Sequence, residues 1–539
     1  MPSTLEDLET ITQRMRVGSL AGEAEGLQEM GNLKTALFGV DSSASGDICD
    51  ALMKCKDLFG MKGVTEVLKS LPSSVSVYQE FSTSPSLATV LDSCLNSDET
   101  ASLILQILHK AEDSQVGGLD HRCIPLISSF ACDNIGAQSL ALSEASASLM
   151  ESLIVKSGDD TRITILESFM ASLNKVKSDT TLLLRYCTVL SKILNRGDNL
   201  FTACLNCGGI TQILDLCRCN DVLLQVTALD LLYGFAGSRN GIQYLIQNGV
   251  LEWLVDVASG SNGSEPDPFL GPSALECLSN IFTRGISSKV IQDLTETPEL
   301  PRFINAVFQN IDSPEQTSRF VGLFAIAEFA SSSEKAMEMM FSNDDLMSTW
   351  VSLLNSPKTE LKASVLHSIA RVIDSNIQSS PEAESKAEQT VLDAAISSSN
   401  SIPLADSEQV KLRKLSLLSM VGRVKKTSPL TFLLLCVKQP ISEVRHAAYE
   451  TLAALARRPT GWGLQILFED PTSGFKEFLE DYGSEFSKEG KEWKFSVVAA
   501  IAENTMISHV REDVEQFIRK RVLQGPYYRP AQMEDPLVL

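Results

Sequence analysis

Few residues in this 539-residue chain have types and spacing suited to chemistry. Cys204-Leu205-Asn206-Cys207 followed by Cys217-Arg218-Cys219 is the one cluster with metal-like spacing, because four thiolates can hold zinc and CxxC is a common half-site. A helical CxC, however, sends its two thiols to different faces, and Cys217 falls on the apolar period of ILDLC. Such a cysteine packs as a small hydrophobe, so no metal and no cofactor is expected. The histidines, His109, His121, His367, His446 and His509, are dispersed and none has HExxH spacing. GxSxG, Walker A and GxGxxG do not occur, so hydrolase, nucleotidase and dinucleotide chemistry lack a foothold and no catalytic residue is expected.

Charge carries more information. Lys and Arg number 46 against 68 Asp and Glu, a net charge of −22 that argues against nucleic-acid binding, which is built on phosphate neutralisation. The balance reverses locally. Between Lys411 and Arg458, Lys411, Arg413, Lys414, Arg423, Lys425, Lys426, Lys438, Arg445, Arg457 and Arg458 face only Glu443 and Glu450. This block reads either as solvated helix surface or as a docking surface for an acidic partner. The twelve cysteines are scattered and form no disulfide framework. The opening residues lack the pattern of a secretory signal, and the longest apolar run, Leu430 to Val437, is far below the ~20 residues of a membrane span. A soluble protein of the cytoplasm, and secondarily of the nucleus, is expected.

The elements that must position these residues are helices in repeats. Gly209 and Gly249 each open an apolar segment, GITQILD and GVLEWLVD, and Gly63 opens a looser one. Longer amphipathic segments follow: from Asp221, Ser313, Thr359, Val410 and Ile441. In the first, Val222, Val226, Leu229, Leu232 and Ala236 should form the buried stripe; Ser313-Pro314-Glu315-Gln316 reads as a helix start. Repeats of ~40–47 residues with no strand-period stretch predict an all-α, armadillo/HEAT-like, right-handed α-solenoid, one continuous array. Three regions are expected: 1–46, an N-terminal helix and flexible segment; 47–486, the repeats, with a Ser-rich insert near 375–408; and 487–539, capping helices and a tail. In the last, Val510, Val514, Ile518 and Val522 should face inward.

GGITQILDLC, ALDLLYGFAGSRNGIQYLIQNGVLEWL from Ala228, DPFLGPSALECLSNIF from Asp267 and QGPYYRP from Gln524 resemble the 26S proteasome non-ATPase regulatory subunit 5 family. The resemblance implies a chaperone for assembly of the regulatory-particle base, binding C-terminal domains of ATPase ring subunits without catalysis. Its implied partners are regulatory subunits 7 and 4, with non-ATPase regulatory subunit 2 in the same intermediate. The repeat pattern alone is equally served by a general armadillo scaffold or transport adaptor. The Cys cluster would be the basis for an enzyme or metalloprotein.

LECLSNIF from Leu275 is similar to the armadillo motif whose third helix lines a groove, which places Glu276 and Asn280 in that groove. The same register in the other long helices gives Asp230 and Gly234, Phe324 and Glu328, His367 and Arg371, then Ser419 and Arg423. These pairs form the expected partner-binding ladder, acidic at Asp230, Glu276 and Glu328 and basic at Arg371 and Arg423.

Overall fold

The computed structural model describes residue 13 and residues 48–70, 84, 86–94, 97–113, 122–260, 266–287, 297–377, 406–469, 474–481, 483–507 and 512–528. The expected N-terminal helix, the Gly-rich stretch after it, most of the Ser-rich insert, Val510 and the last eleven residues lie outside them. Among the described residues every regular element is a helix, and helix–turn–helix units repeat along the chain. The fold is all-α, of the armadillo/HEAT-like solenoid class. It forms two compact units, 1–241 and 242–539.

In the first unit the helices α1 (Ile48–Ser70, broken by a kink at Gly60), α2 (Asp98–Asp113), α3 (Leu140–Lys156), α4 (Thr180–Leu194) and α5 (Val222–Leu231) stack side by side. Polar side chains tie neighbours at repeat spacing. The Thr65 and Thr100 hydroxyls meet at 2.7 Å, thirty-five residues apart, and Ser191 Oγ donates to the Leu231 carbonyl at 2.7 Å, forty residues on. Short apolar helices fill the layer behind. The turn before Gly209–Cys217 falls one residue earlier than the sequence suggests: Gly208 takes the left-handed conformation (φ 76°), as Gly249 does (φ 64°) before Val250–Ser259. Gly209 is already helical, packed on Met170 and Leu190. The buried stripe of α5 is also narrower than expected. Leu229, and Leu232 and Ala236 in the 3-10 helix Leu232–Gly237 that follows, are buried, but Val226 is half-buried and Val222 is 36% exposed.

In the second unit the row is α6 (Leu270–Ser287), α7 (Gln316–Ser332), α8 (Thr359–Asp374), α10 (Ser442–Ala456) and α11 (Lys488–Glu503), with α12 (Glu512–Gln524) on α11. Phe282, Phe303 and Phe329 pack as a triad with centroids 4.9–6.2 Å apart, joining α6, the helix Glu299–Asp312 and α7. The start of α7 departs from expectation. Ser313 Oγ accepts from the Glu315 amide at 3.1 Å in a local turn, so the helix begins at Gln316 rather than at Pro314. In α12, Val514 and Ile518 are fully buried as expected, whereas Val522 is 38% exposed and Arg521 takes the inner position.

α9 (Glu408–Lys425) breaks the sequence's regular count. It packs against the short helices Glu334–Phe341 and Asp344–Ser352, in the layer behind the row. The Lys425 ammonium donates to the Leu354 carbonyl (2.9 Å) and Asn355 Oδ1 (2.7 Å), and Arg413 lies 3.6–3.7 Å from Glu334 and Glu338. α10 therefore follows α8 in the row, and contacts between them span eighty-three residues, against forty-three between α7 and α8. The junction is held by a buried ionic clamp. Lys414 donates to the Ser375 carbonyl (2.7 Å) and Asp406 (3.0 Å); Arg458 donates to the carbonyls of Ser375 (2.9 Å) and Asp374 (2.7 Å) and to the Asp374 carboxylate (2.9 Å). Lys414, Asp406 and Arg458 side chains are at most 2% exposed. The chain therefore leaves α8 and re-enters before α9 at one place.

Candidate protein-binding surface

The row helices of the second unit run parallel and in register, so the residues of each that recur every three or four positions line up across the row. On α6 these are Glu276 and Asn280, exposed and half-buried; on α7, Phe324, 40% exposed, and half-buried Glu328. On α8 they are half-buried His367 and exposed Arg371. The structure brings these together. Arg371 donates to Glu328 at 3.0–3.1 Å, and the Ser331 hydroxyl donates to the Arg371 carbonyl at 3.4 Å, stitching α7 to α8. The arginine and glutamate of the expected ladder are thus each other's partners.

Beyond α8 the ladder takes a course the sequence register did not find. His367 pairs with Glu450 of α10 and meets the His446 ring edge-on, centroids 5.5 Å apart. His446 stacks on Trp493 of α11 at 4.6 Å and 20°. Two turns further on, Arg457 grips both oxygens of Asp374 at 2.7–3.1 Å. Desolvation and the neighbouring His367 hold His446 below the usual histidine range; the hydrogen bond from His367 holds Glu450 below the usual carboxylate range. Ser419 and Arg423 are exposed but belong to α9 in the rear layer, so they are not rungs of this row. The expected register failed there because a whole extra helix pair sits between α8 and α10.

In the first unit Asp230 is exposed on α5, and partial burial raises its carboxyl pKa. Gly234 is not a surface position. It is buried so close to α4 that a Cβ there would stand 2.2 Å from the Ser191 carbonyl oxygen.

The basic block is largely consumed inside the chain. Besides Lys414, Arg458, Arg457, Lys425 and Arg413, Lys411 pairs with Glu408 at 3.3 Å. Arg445 donates to the Gln439 and Pro440 carbonyls at 3.1 Å beside Glu485. It is therefore the internal wiring of a repeat junction, not a continuous cationic surface. The cysteine cluster is likewise structural. Cys204 and Cys217 are buried, and burial pushes both thiols up to about 12, which keeps them protonated and inert. Cys217 Sγ donates to the Ala228 carbonyl at 3.5 Å. Among the described residues no three His, Cys, Asp or Glu side chains are grouped so as to hold a metal ion.

What this arrangement can do is present a broad, preorganised face. Several of its polar side chains are fixed by cross-helix pairs, and its aromatics include Phe324, 40% exposed, and the His446–Trp493 stack, with the imidazole exposed and the indole half-buried. The family of proteasome non-ATPase 26S subunits matches this chain over residues 93–389 and 403–535. The 26S proteasome non-ATPase regulatory subunit 5 of Homo sapiens is 23% identical over 330 residues, 60% of this chain and 57% of that protein. Its Mus musculus counterpart is 23% identical over 363 residues, 66% of this chain and 63% of that protein. The matches thus span less than two thirds of these relatives' own length. Among solved structures, Kap121p bound to Ste12p aligns with 96% of this chain and 51% of its own at 14% identity, with a TM-score of 0.44.

Proposed function

From the premise that the chain belongs to the family of proteasome non-ATPase 26S subunits, we propose that it is a non-catalytic assembly chaperone of the proteasome regulatory particle. The coarser reading, a protein-binding helical scaffold, follows from the fold and the relatives together. The finer reading is that the row of the second unit binds C-terminal domains of ATPase ring subunits during formation of the base. By resemblance these are regulatory subunits 7 and 4, with non-ATPase regulatory subunit 2 in the same intermediate. The protein would act in the cytoplasm and secondarily in the nucleus, with no turnover of its own.

The observation that carries this reading is the cross-helix ladder from Glu328–Arg371 through His367–Glu450 to His446–Trp493. Rigid side chains on parallel helices lose little entropy on binding, which suits a folded domain rather than a small molecule. Affinity purification of the tagged full chain with mass spectrometry tests it. Recovery of ATPase ring subunits without the mature proteolytic core is the expected result; recovery of transport receptors instead would favour an adaptor and end the chaperone reading.

A further inference from the structure

Along the α8–α10 part of the second-unit row the arginines of the exposed stripe, Arg371 and Arg457, are both spent on carboxylates of the preceding row helix, Glu328 and Asp374. Among the described residues, Glu276, Glu360, Glu443 and Glu489 on the same stripe are exposed and make no ion pair. Three of these sit in the first turns of α8, α10 and α11, where a carboxylate also complements the helix dipole. The dipole does not call for what lies one turn further in: the His446–Trp493 stack, its imidazole exposed. Glu443 and Glu450 flank His446 on its own helix face, three residues before and four after, and Glu489 stands four residues before Trp493.

An aromatic stack ringed by carboxylates selects a cation. A bare metal ion does not fit, since no three ligating side chains here are grouped to hold one. A guanidinium does: its plane lies on an indole or imidazole while its N–H fork reaches a carboxylate, and its long stem carries it to groups too far apart for an ion. The net charge of −22 draws such a partner in.

We propose that the α10–α11 end of the row is a docking surface for an arginine-bearing segment of a partner protein, held on the His446–Trp493 stack and by Glu443 and Glu489. The proposal rests on the reading of this row as a protein-binding face. It gives that face a sign opposite to the basic end expected from the sequence.

The test uses the full chain and fluorescein-labelled peptides of alternating arginine and glycine, lysine and glycine, or glutamate and glycine. Anisotropy is measured for wild type, for Glu443→Lys/Glu489→Lys, and for Glu144→Lys/Asp160→Lys, an exposed pair in the first unit with the same change in net charge. The site double should weaken the arginine peptide by about ten-fold or more and the control by less than about three-fold. Trp493→Ala should cost the arginine peptide more than the lysine peptide; should that variant unfold, His446→Ala, at an exposed ring, replaces it. Equal losses in the two doubles, or equal binding of the glutamate peptide, would overturn the proposal.

The same proteins are then offered proteasomal ATPase C-terminal domains. Capture that survives the site double overturns this docking surface and leaves the chaperone reading standing. Site-dependent arginine binding with no capture by wild type does the reverse.

Discussion

At the scale of single residues, the largest stakes lie in charges and thiols that the fold buries. Arg458 is 1% exposed and satisfies two backbone carbonyls and a carboxylate across the junction between α8 and α10. Removing it strips the Ser375 and Asp374 carbonyls of a donor while Asp374 keeps Arg457 and Asp406 keeps Lys414, so Arg458→Met should cost about 2–4 kcal/mol, read as a lowered urea midpoint. The Glu328–Arg371 pair, its arginine exposed and its glutamate half-buried, should be worth only about 1 kcal/mol in a double-mutant cycle. Burial pushes the thiols of Cys132, Cys187, Cys204 and Cys217 up to about 12, and those of Cys55 and Cys436 to about 11. A thiol whose folded pKa is raised gives stability that is fully present below its unfolded value of 9.0 and is lost as pH climbs toward the folded one. Lys414 and Lys494, pushed down to about 8 by burial, act oppositely and add stability as pH rises from there toward 10.5. Six thiols outweigh two lysines. The unfolding free energy, measured under reducing conditions, should fall steadily above about pH 9, with the absorbance of these six thiolates appearing only on unfolding. A flat profile through pH 10.5 would mean that these cysteines are not buried.

At the scale of elements, the row is set by how closely helices approach and what fixes their register. α4 and the turn following α5 come so near that only glycine fits at Gly234, under the Ser191 carbonyl. Gly234→Ala should separate them and cost about 2–4 kcal/mol, visible as a lower melting temperature. A melting temperature within error of wild type would mean the approach is looser than the geometry requires. Register is held by polar bonds at the ends of the helices. Asn504, just after α11, donates to the carbonyls of Ala456 (2.7 Å) and Arg458 (2.8 Å) at the close of α10.

At the scale of the whole molecule, the row and the rear layer make distinct predictions for partner capture. If ATPase domains dock on the row through cationic side chains, Glu360→Lys, at an exposed position of α8, should weaken capture by about five-fold by placing a like charge on the face. Arg423→Glu, on α9 in the rear layer, should leave it within about two-fold. Equal losses would move the interface behind the row; no loss in either would move it off the second unit's middle.

The helical class, the repeat length and the stripes that line each row helix were legible in the sequence, because periodicity and glycine breaks are local properties of the chain. Glu276, Phe324, His367 and Arg371 could be aligned from motif register alone, since α6, α7 and α8 follow one another at ordinary repeat spacing. The local pattern of α9 is indistinguishable from that of a row helix. Only packing reveals that it sits behind the row and that α10 succeeds α8. For the same reason Arg423 was assigned to the row, and His446, Glu450 and Trp493 were missed. Charge was misread likewise: a sequence shows ten cations between Lys411 and Arg458, but whether a cation meets solvent or a carboxylate is decided by neighbours far along the chain. Lys414 and Arg458 find theirs across the junction, and once those pairs form, the carboxylates of the row are what remain exposed.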